Sequence, residues 1–195
     1  MKDIVTLPDD GLKFKDYQRE ILSRSLCGFF LPVTFLTSVR EGKPVVRACS
    51  ADRTGYTPLE ARERIGGKLC HLLLTGILTG IREAANCYLF PGDYRLTAGT
   101  VCFSEREERV RCLFLPSGRD RTYPAVDLAE EAGIALDGLR EELSGRCDPE
   151  AAEDLRKIAS LLRSRRGGID TALLSVARMK RRAGEERVDL KRNFV

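Results

Sequence analysis

His71 is the only histidine in this 195-residue chain, and so the only imidazole that could move a proton near neutral pH. It sits in the apolar run Lys68-Leu69-Cys70-His71-Leu72-Leu73-Leu74. A helix would bring a metal or acid–base partner onto the same face four residues on, and Thr75 stands there in place of a cysteine or carboxylate. His71 therefore reads as a structural residue. Seven cysteines, at 27, 49, 70, 87, 102, 112 and 147, are the other reactive groups. A metal site would need Cys70, Cys87, Cys102 and Cys112 to converge from separate apolar runs, so they read as small core fillers. An odd number without Cys-x-x-Cys spacing points to reduced, buried thiols and not to a disulfide framework. Asp93, in Pro91-Gly92-Asp93-Tyr94, is a turn-former, and Glu105, Glu107 and Glu108 alternate with Arg106 and Arg109 at a hairpin tip. No catalytic residue, cofactor site or metal site emerges from these residue types.

The remaining candidates are basic. Arg163, Arg165 and Arg166 form one segment, and Arg178, Lys180, Arg181 and Arg182 form another. Both could meet nucleic acid or an anionic lipid surface. No aromatic residue is interleaved and no nucleic-acid motif is visible, and positive charge at helix ends also complements the helix dipole.

The elements that must position these groups are legible. Asp16–Ser25 suits a short amphipathic helix that stops at Gly28. The runs Phe29–Arg40 and Pro44–Ser50 flank Glu41-Gly42-Lys43, a hairpin signal. Thr57-Pro58-Leu59-Glu60 reads as a helix start, with Thr57 as cap, Pro58 at the first helical position and Glu60 able to bond back. Gly66-Gly67 interrupts that helix, and a separate apolar helix follows to about Tyr88. Its stripe is Leu69, Leu73, Ile77, Ile81 and Ala85, widened by Leu72, Leu74 and Leu78, so it belongs at the centre of the fold. Gly76 and Gly80 leave a flat ridge for close approach of a neighbour. A second hairpin follows, with Val110, Cys112 and Phe114 on one face and Arg111, Leu113 and Leu115 on the other. Beyond the loop Ser117–Pro124 lie three helical stretches, Ala125–Leu143, Pro149–Arg166 and Asp170–Arg182, the last closing near Gly184. These signals predict an α+β fold of short β-hairpins packed around a central apolar helix, followed by C-terminal helices.

Charge divides the chain. Residues 151–195 carry 12 Lys/Arg against 6 Asp/Glu, whereas residues 1–150 carry 21 against 23. The expected organisation is a core over 1–145 and a basic helical appendage over 146–195. The N-terminus lacks the basic-then-apolar order of a signal peptide, and Pro32 and Gly76 break apolar stretches that are already too short to span a bilayer. A cytoplasmic protein that is not integral to a membrane is expected.

Helix, hairpins and capped turn together resemble a stripped-down protein-kinase layout, with Ser50–Gly55 at the hinge. Tyr94–Val101 would fall at the catalytic loop and Phe114–Ser117 where the metal-binding Asp-Phe-Gly lies. The phosphotransfer residues do not follow: Leu115-Pro116-Ser117 replaces Asp-Phe-Gly, and Tyr94–Val101 contains no His-Arg-Asp. The pattern Gly28-Phe29-Phe30-Leu31-Pro32, Thr57-Pro58-Leu59-Glu60, Tyr88-Leu89-Phe90 and Leu113-Phe114-Leu115-Pro116 also resembles an uncharacterised bacterial domain found N-terminal to forkhead-associated domains. That resemblance, over roughly Asp16 to Ser144, implies a non-catalytic scaffold or signalling and secretion-associated module with a protein partner, and it supplies no site residues. The expected function is thus a pseudokinase-like interaction or regulatory module that is not an enzyme. The alternative is binding of nucleic acid or an anionic surface through the basic tail.

Overall fold

The computed structural model describes residues 3–7, 14–118, 127–164 and 167–192, by backbone alone at 40, 43–49 and 181–192. The fold is α+β, as the element signals predict. Strands β1 (Ile4–Leu7), β2 (Val33–Arg40) and β3 (Lys43–Asp52) form an antiparallel sheet in the order β1-β3-β2. The β2–β3 hairpin turns on Glu41 at φ 52° and Gly42 at φ 76°, the left-handed pair that a two-residue turn needs to match strand twist. A bulge between Leu36 and Thr37 shifts the register of this hairpin. Helix α1 (Asp16–Ser23) packs beside β2.

Thr57-Pro58-Leu59-Glu60 does not start a helix. Thr57–Pro58 is instead a short strand, β4, paired with β5 (Val101–Ser104), and only one 3-10 turn follows at Leu59–Ala61. Tertiary bonding overrides the local signal. The Glu60 N–H donates to the Ala98 carbonyl at 2.9 Å, and Leu59 is fully buried. Strands β4, β5 and β6 (Arg109–Cys112) make the second antiparallel sheet.

Helix α2 (Gly67–Asn86) runs through the middle of the molecule, with Cys70, Leu73, Leu74, Ile77, Leu78, Ile81 and Ala84 buried. Its glycine ridge is filled from two directions. A Cβ at Gly76 would lie 2.5 Å from Val110 Cγ2 of β6, and a Cβ at Gly80 would fall inside the Phe29 ring. Close approach thus locks the segment before β2 and the second hairpin onto one helix face. Backbone bonds join the same two partners: the Cys112 N–H donates to the Phe29 carbonyl at 2.7 Å, and the Leu31 N–H to the Cys112 carbonyl at 3.0 Å. Over this junction Phe30 meets Tyr94 and Phe114 edge-on, with ring centroids 5.0 and 5.1 Å apart.

Helices α3 (Leu128–Glu142), α4 (Pro149–Arg163) and α5 (Ile169–Arg192) complete the fold. Asp127 caps α3 by accepting from the Ala129 N–H. Asp148 stands at the N-cap of α4, but its carboxylate accepts from Arg64 at 2.6 Å and caps no first-turn amide. Helix α5 continues through Gly184 to Arg192, past the stop expected near Gly184. The hydrophobic core does not end at residue 145. Ala151, Leu155, Ile158 and Leu162 of α4, and Ile169, Ala172 and Val176 of α5, belong to the same cluster as α2. The change of charge near residue 146 therefore marks a change of surface and no break in packing.

This packing makes three stability predictions. Gly80→Ala should destabilise the protein by ~1–3 kcal/mol or more, because the added methyl displaces a packed ring. Gly138→Ala, where a Cβ in α3 would meet nothing within 4 Å, should stabilise it by ~0.5–1 kcal/mol. Chemical denaturation of both variants checks the pair. A chain ended at Gly145 should lose cooperative thermal unfolding by circular dichroism, since it gives up Leu155, Ile158, Leu162, Ile169 and Val176, buried aliphatics worth ~1.5–3 kcal/mol each.

Candidate functional site

The stripe of α4 that faces the core reads Ala151, Asp154, Leu155, Ile158, Leu162, and one member of it is charged. A carboxylate on a buried face is costly unless it is paired. Its partner is His71 on α2: Nε2 lies 3.0 Å from Asp154 Oδ2, with both residues buried. An ionised carboxylate only accepts, so the ring proton belongs on Nε2. Asp154 thereby sets the tautomer and orientation of the imidazole, the arrangement of a base and its orienting carboxylate. One turn on, the Thr75 hydroxyl donates to the His71 carbonyl at 2.8 Å. Position 75 thus serves the helix backbone, and the carboxylate missing there arrives from 83 residues downstream. The signal that could have found it was Asp154 itself, an acid on the apolar stripe of an amphipathic helix.

His71 opens onto a cleft of ≈ 250 Å³ that runs along α2 beneath the β5–β6 hairpin and is also lined by Thr79, Glu83, Arg109 and Lys180. Glu83 Oε1 accepts the Gly28 N–H at 2.5 Å, and the Arg109 guanidinium reaches the same spot. A Cβ at Gly28 would lie 2.8 Å from Arg109 Nη2 and 2.9 Å from Glu83 Oε1, so both side-chain ends crowd close over this glycine. A second, larger hollow of ≈ 540 Å³ lies between Tyr56, Arg62, Phe103 and Arg106. Its polar groups serve one another. The Tyr56 hydroxyl donates to Glu107 at 2.5 Å, Arg62 pairs with Glu105 at 2.6 Å and stacks over the Phe103 ring, and Arg111 covers the Tyr56 ring. Burial, then the bond to Glu107, pushes the Tyr56 phenol up.

The loop from Asp93 to Thr100 is held largely by its own side chains. Thr100 Oγ1 donates to the Arg95 carbonyl at 2.9 Å and accepts the Thr97 N–H at 2.8 Å. Glu142 of α3 accepts the Ala98 N–H at 2.6 Å, and Asp93 accepts the Phe90 N–H at 3.0 Å, closing the turn expected of it. Ser117, just after Pro116, donates its hydroxyl to the Gly92 carbonyl at 2.6 Å. Threonine hydroxyls and a glutamate from a neighbouring helix do here what backbone amides of a loop require.

The cysteines lie mostly in the core. Burial pushes the Cys70 and Cys112 thiols well up and the Cys102 thiol to about 11, so all three remain protonated, poor nucleophiles and poor ligands. Among the described residues no group of three or more His, Cys, Asp or Glu side chains could hold a metal ion.

Among the described side chains, the candidate polyanion contacts lie on two elements, Arg163 on α4 and Arg178 and Lys180 on α5. Arg163 pairs with Asp137 at 2.6 Å, tying the end of α4 to α3. Arg140, and then Arg163, hold the Asp137 carboxyl below its usual value. Arg178 and Lys180 are exposed on α5, with Lys180 at the rim of the cleft. Arg181 and Arg182 continue α5, and Arg165 and Arg166 fall outside the described residues. No helix among the described residues is long and apolar enough to cross a membrane.

If His71 and Asp154 act as a pin between α2 and α4, breaking the pair should cost more than deleting it. Asp154→Ala or His71→Ala should each lose ~1–3 kcal/mol, because a buried polar group is orphaned. The double variant His71→Leu/Asp154→Leu should lie closer to the parent than the two losses summed. Urea denaturation of the four proteins reads the coupling. No protein-family model matches this chain, and no curated protein matches it.

Proposed function

We propose that this chain is a non-catalytic, pseudokinase-like interaction or regulatory module that recruits a protein partner by strand addition along β2. The observation that carries this reading is the edge itself. Strand β2 is eight residues long, and among the described residues it hydrogen-bonds only to β3, on one side. Val33, near the core, is buried, whereas Leu36 is 64% and Val39 75% exposed further along the strand. An edge strand offers a row of backbone donors and acceptors, and natural proteins guard such edges with charge, proline or cover. Apolar side chains on an extended edge instead fit an added strand, whose backbone supplies affinity while side-chain contacts supply specificity. The loop from Asp93 to Thr100 supports the non-catalytic half of the reading, because its polar groups maintain the loop and not a reacting phosphate. The alternative, polyanion binding through the tail, is weakened by the engagement of Arg163 with Asp137.

Cross-linking mass spectrometry on the full chain in its host cells tests the interface. Cross-links from β2 to one partner protein are expected, and Leu36→Lys/Val39→Lys should abolish them while leaving Tm within a degree or so. Cross-links that survive this variant, or that map to α5, would overturn the assignment. Thermal-shift assays with ATP test the absence of phosphotransfer chemistry: no magnesium-dependent rise in Tm is expected, and a rise of several degrees would refute it.

A further inference from the structure

Two of the thiols stand apart from the other cysteines. Cys27 lies in the turn between α1 and Phe29, and Cys87 caps the C-terminal end of α2. The Cys87 thiol reaches the carbonyl of Leu26, the residue before Cys27, at 3.9 Å, which sets its sulfur beside the Cys27 backbone. Each is delivered by a left-handed residue that is not glycine: Ser25 at φ 51° stands two residues before Cys27, and Tyr88 at φ 58° directly follows Cys87. Such conformations cost energy and persist only where the surroundings impose them. The two thiols also differ in access. Cys27 is 2% exposed, while Cys87 is half-buried between the exposed side chains of Leu26 and Tyr88.

We propose that Cys27 and Cys87 form a reversible redox site, in which a low-molecular-weight disulfide of the glutathione type oxidises them to an intramolecular disulfide. Cys87 attacks first, because solvent reaches it. Its thiolate, having released a proton to water, displaces one glutathione thiolate and leaves a mixed disulfide on Cys87. The Cys27 sulfur then attacks the Cys87 sulfur, loses its proton to solvent and expels the second glutathione thiolate. The two protein thiols lose two electrons and two protons, and one glutathione disulfide becomes two glutathione thiols.

Burial, together with the neighbouring Cys87 and Glu83, pushes the Cys27 thiol up to about 12, so it serves as the resolving thiol and not the entering one. The closeness of Cys87 to the Cys27 backbone offsets that slow deprotonation, since attack between neighbouring groups proceeds at high effective concentration. The product suits the site better than a thiolate would. A disulfide is neutral, and the burial that penalises charge at Cys27 does not penalise it. Once closed, it would tie the segment carrying Phe29 to the end of the helix whose Gly80 receives the Phe29 ring.

The test treats the reduced full chain with oxidised glutathione, quenches with acid, alkylates under denaturing conditions and maps peptides by mass spectrometry. The expected product joins the Cys27 and Cys87 peptides, carries no glutathione and reverts with dithiothreitol. Cys27→Ser should trap glutathione on Cys87. Should that buried substitution prevent folding, Cys87→Ser serves equally: its Cys27 should remain an unmodified thiol that alkylates only after denaturation. Stable glutathionylation of Cys87 in the parent with Cys27 free, a disulfide that involves other cysteines, or an unreacted Cys87 would each overturn the assignment.

Discussion

The absence of a Cβ at Gly80 is the constraint on which the rest of the architecture depends. It lets the Phe29 ring settle directly on the backbone of α2, and Gly76 does the same for Val110 one turn earlier. Phe29 belongs to the segment leading into the first sheet and Val110 to the second sheet, so two glycines on one helix face set the positions of both. The bonds between Phe29, Leu31 and Cys112 then follow, because the two segments are already within reach of each other. Interiors packed at crystal-like density transmit such contacts without slack. The aromatic group of Phe30, Tyr94 and Phe114 closes over the junction as a consequence of it.

The polar chemistry obeys the same economy. His71 and Asp154 meet across two helices, Glu83 accepts the Gly28 N–H, and Thr100 and Glu142 satisfy the amides of the Asp93–Thr100 loop. Each group sits where an unpaired partner would otherwise be buried. An imidazole with an orienting carboxylate is the start of an acid–base site in many enzymes, but here both members are buried and link α2 to α4. The outward-facing features are of a different kind: an apolar edge strand, and a thiol pair with one accessible member.

Legibility in the sequence followed the range of the interactions. The β2–β3 turn was readable because Glu41 and Gly42 adopt φ values that such a hairpin requires locally. Helix α2 was readable because its apolar residues exceed one stripe, and the inward face of Val110, Cys112 and Phe114 because strands alternate. The stretch at Thr57 was misread because a capping signal is worth about a kcal/mol, less than the pairing of β4 with β5 and the burial of Leu59 combined. The boundary at residue 145 was drawn from charge, which describes surfaces; Leu155, Ile158 and Leu162, apolar at helical spacing, carried the information that α4 belongs to the core.

By itself the sequence determined most of the element types, the central place of α2 and the burial of most thiols, because each depends on spacing within one segment. Only the tertiary structure decided which side chains meet. Asp154 finds His71, Cys27 finds Cys87, and Glu142 finds Ala98 across gaps of 83, 60 and 44 residues. Spacing along a chain encodes the faces of helices and strands, but the pairing of faces is fixed by packing. That packing turns on whether a ring at position 29 can reach the backbone at position 80.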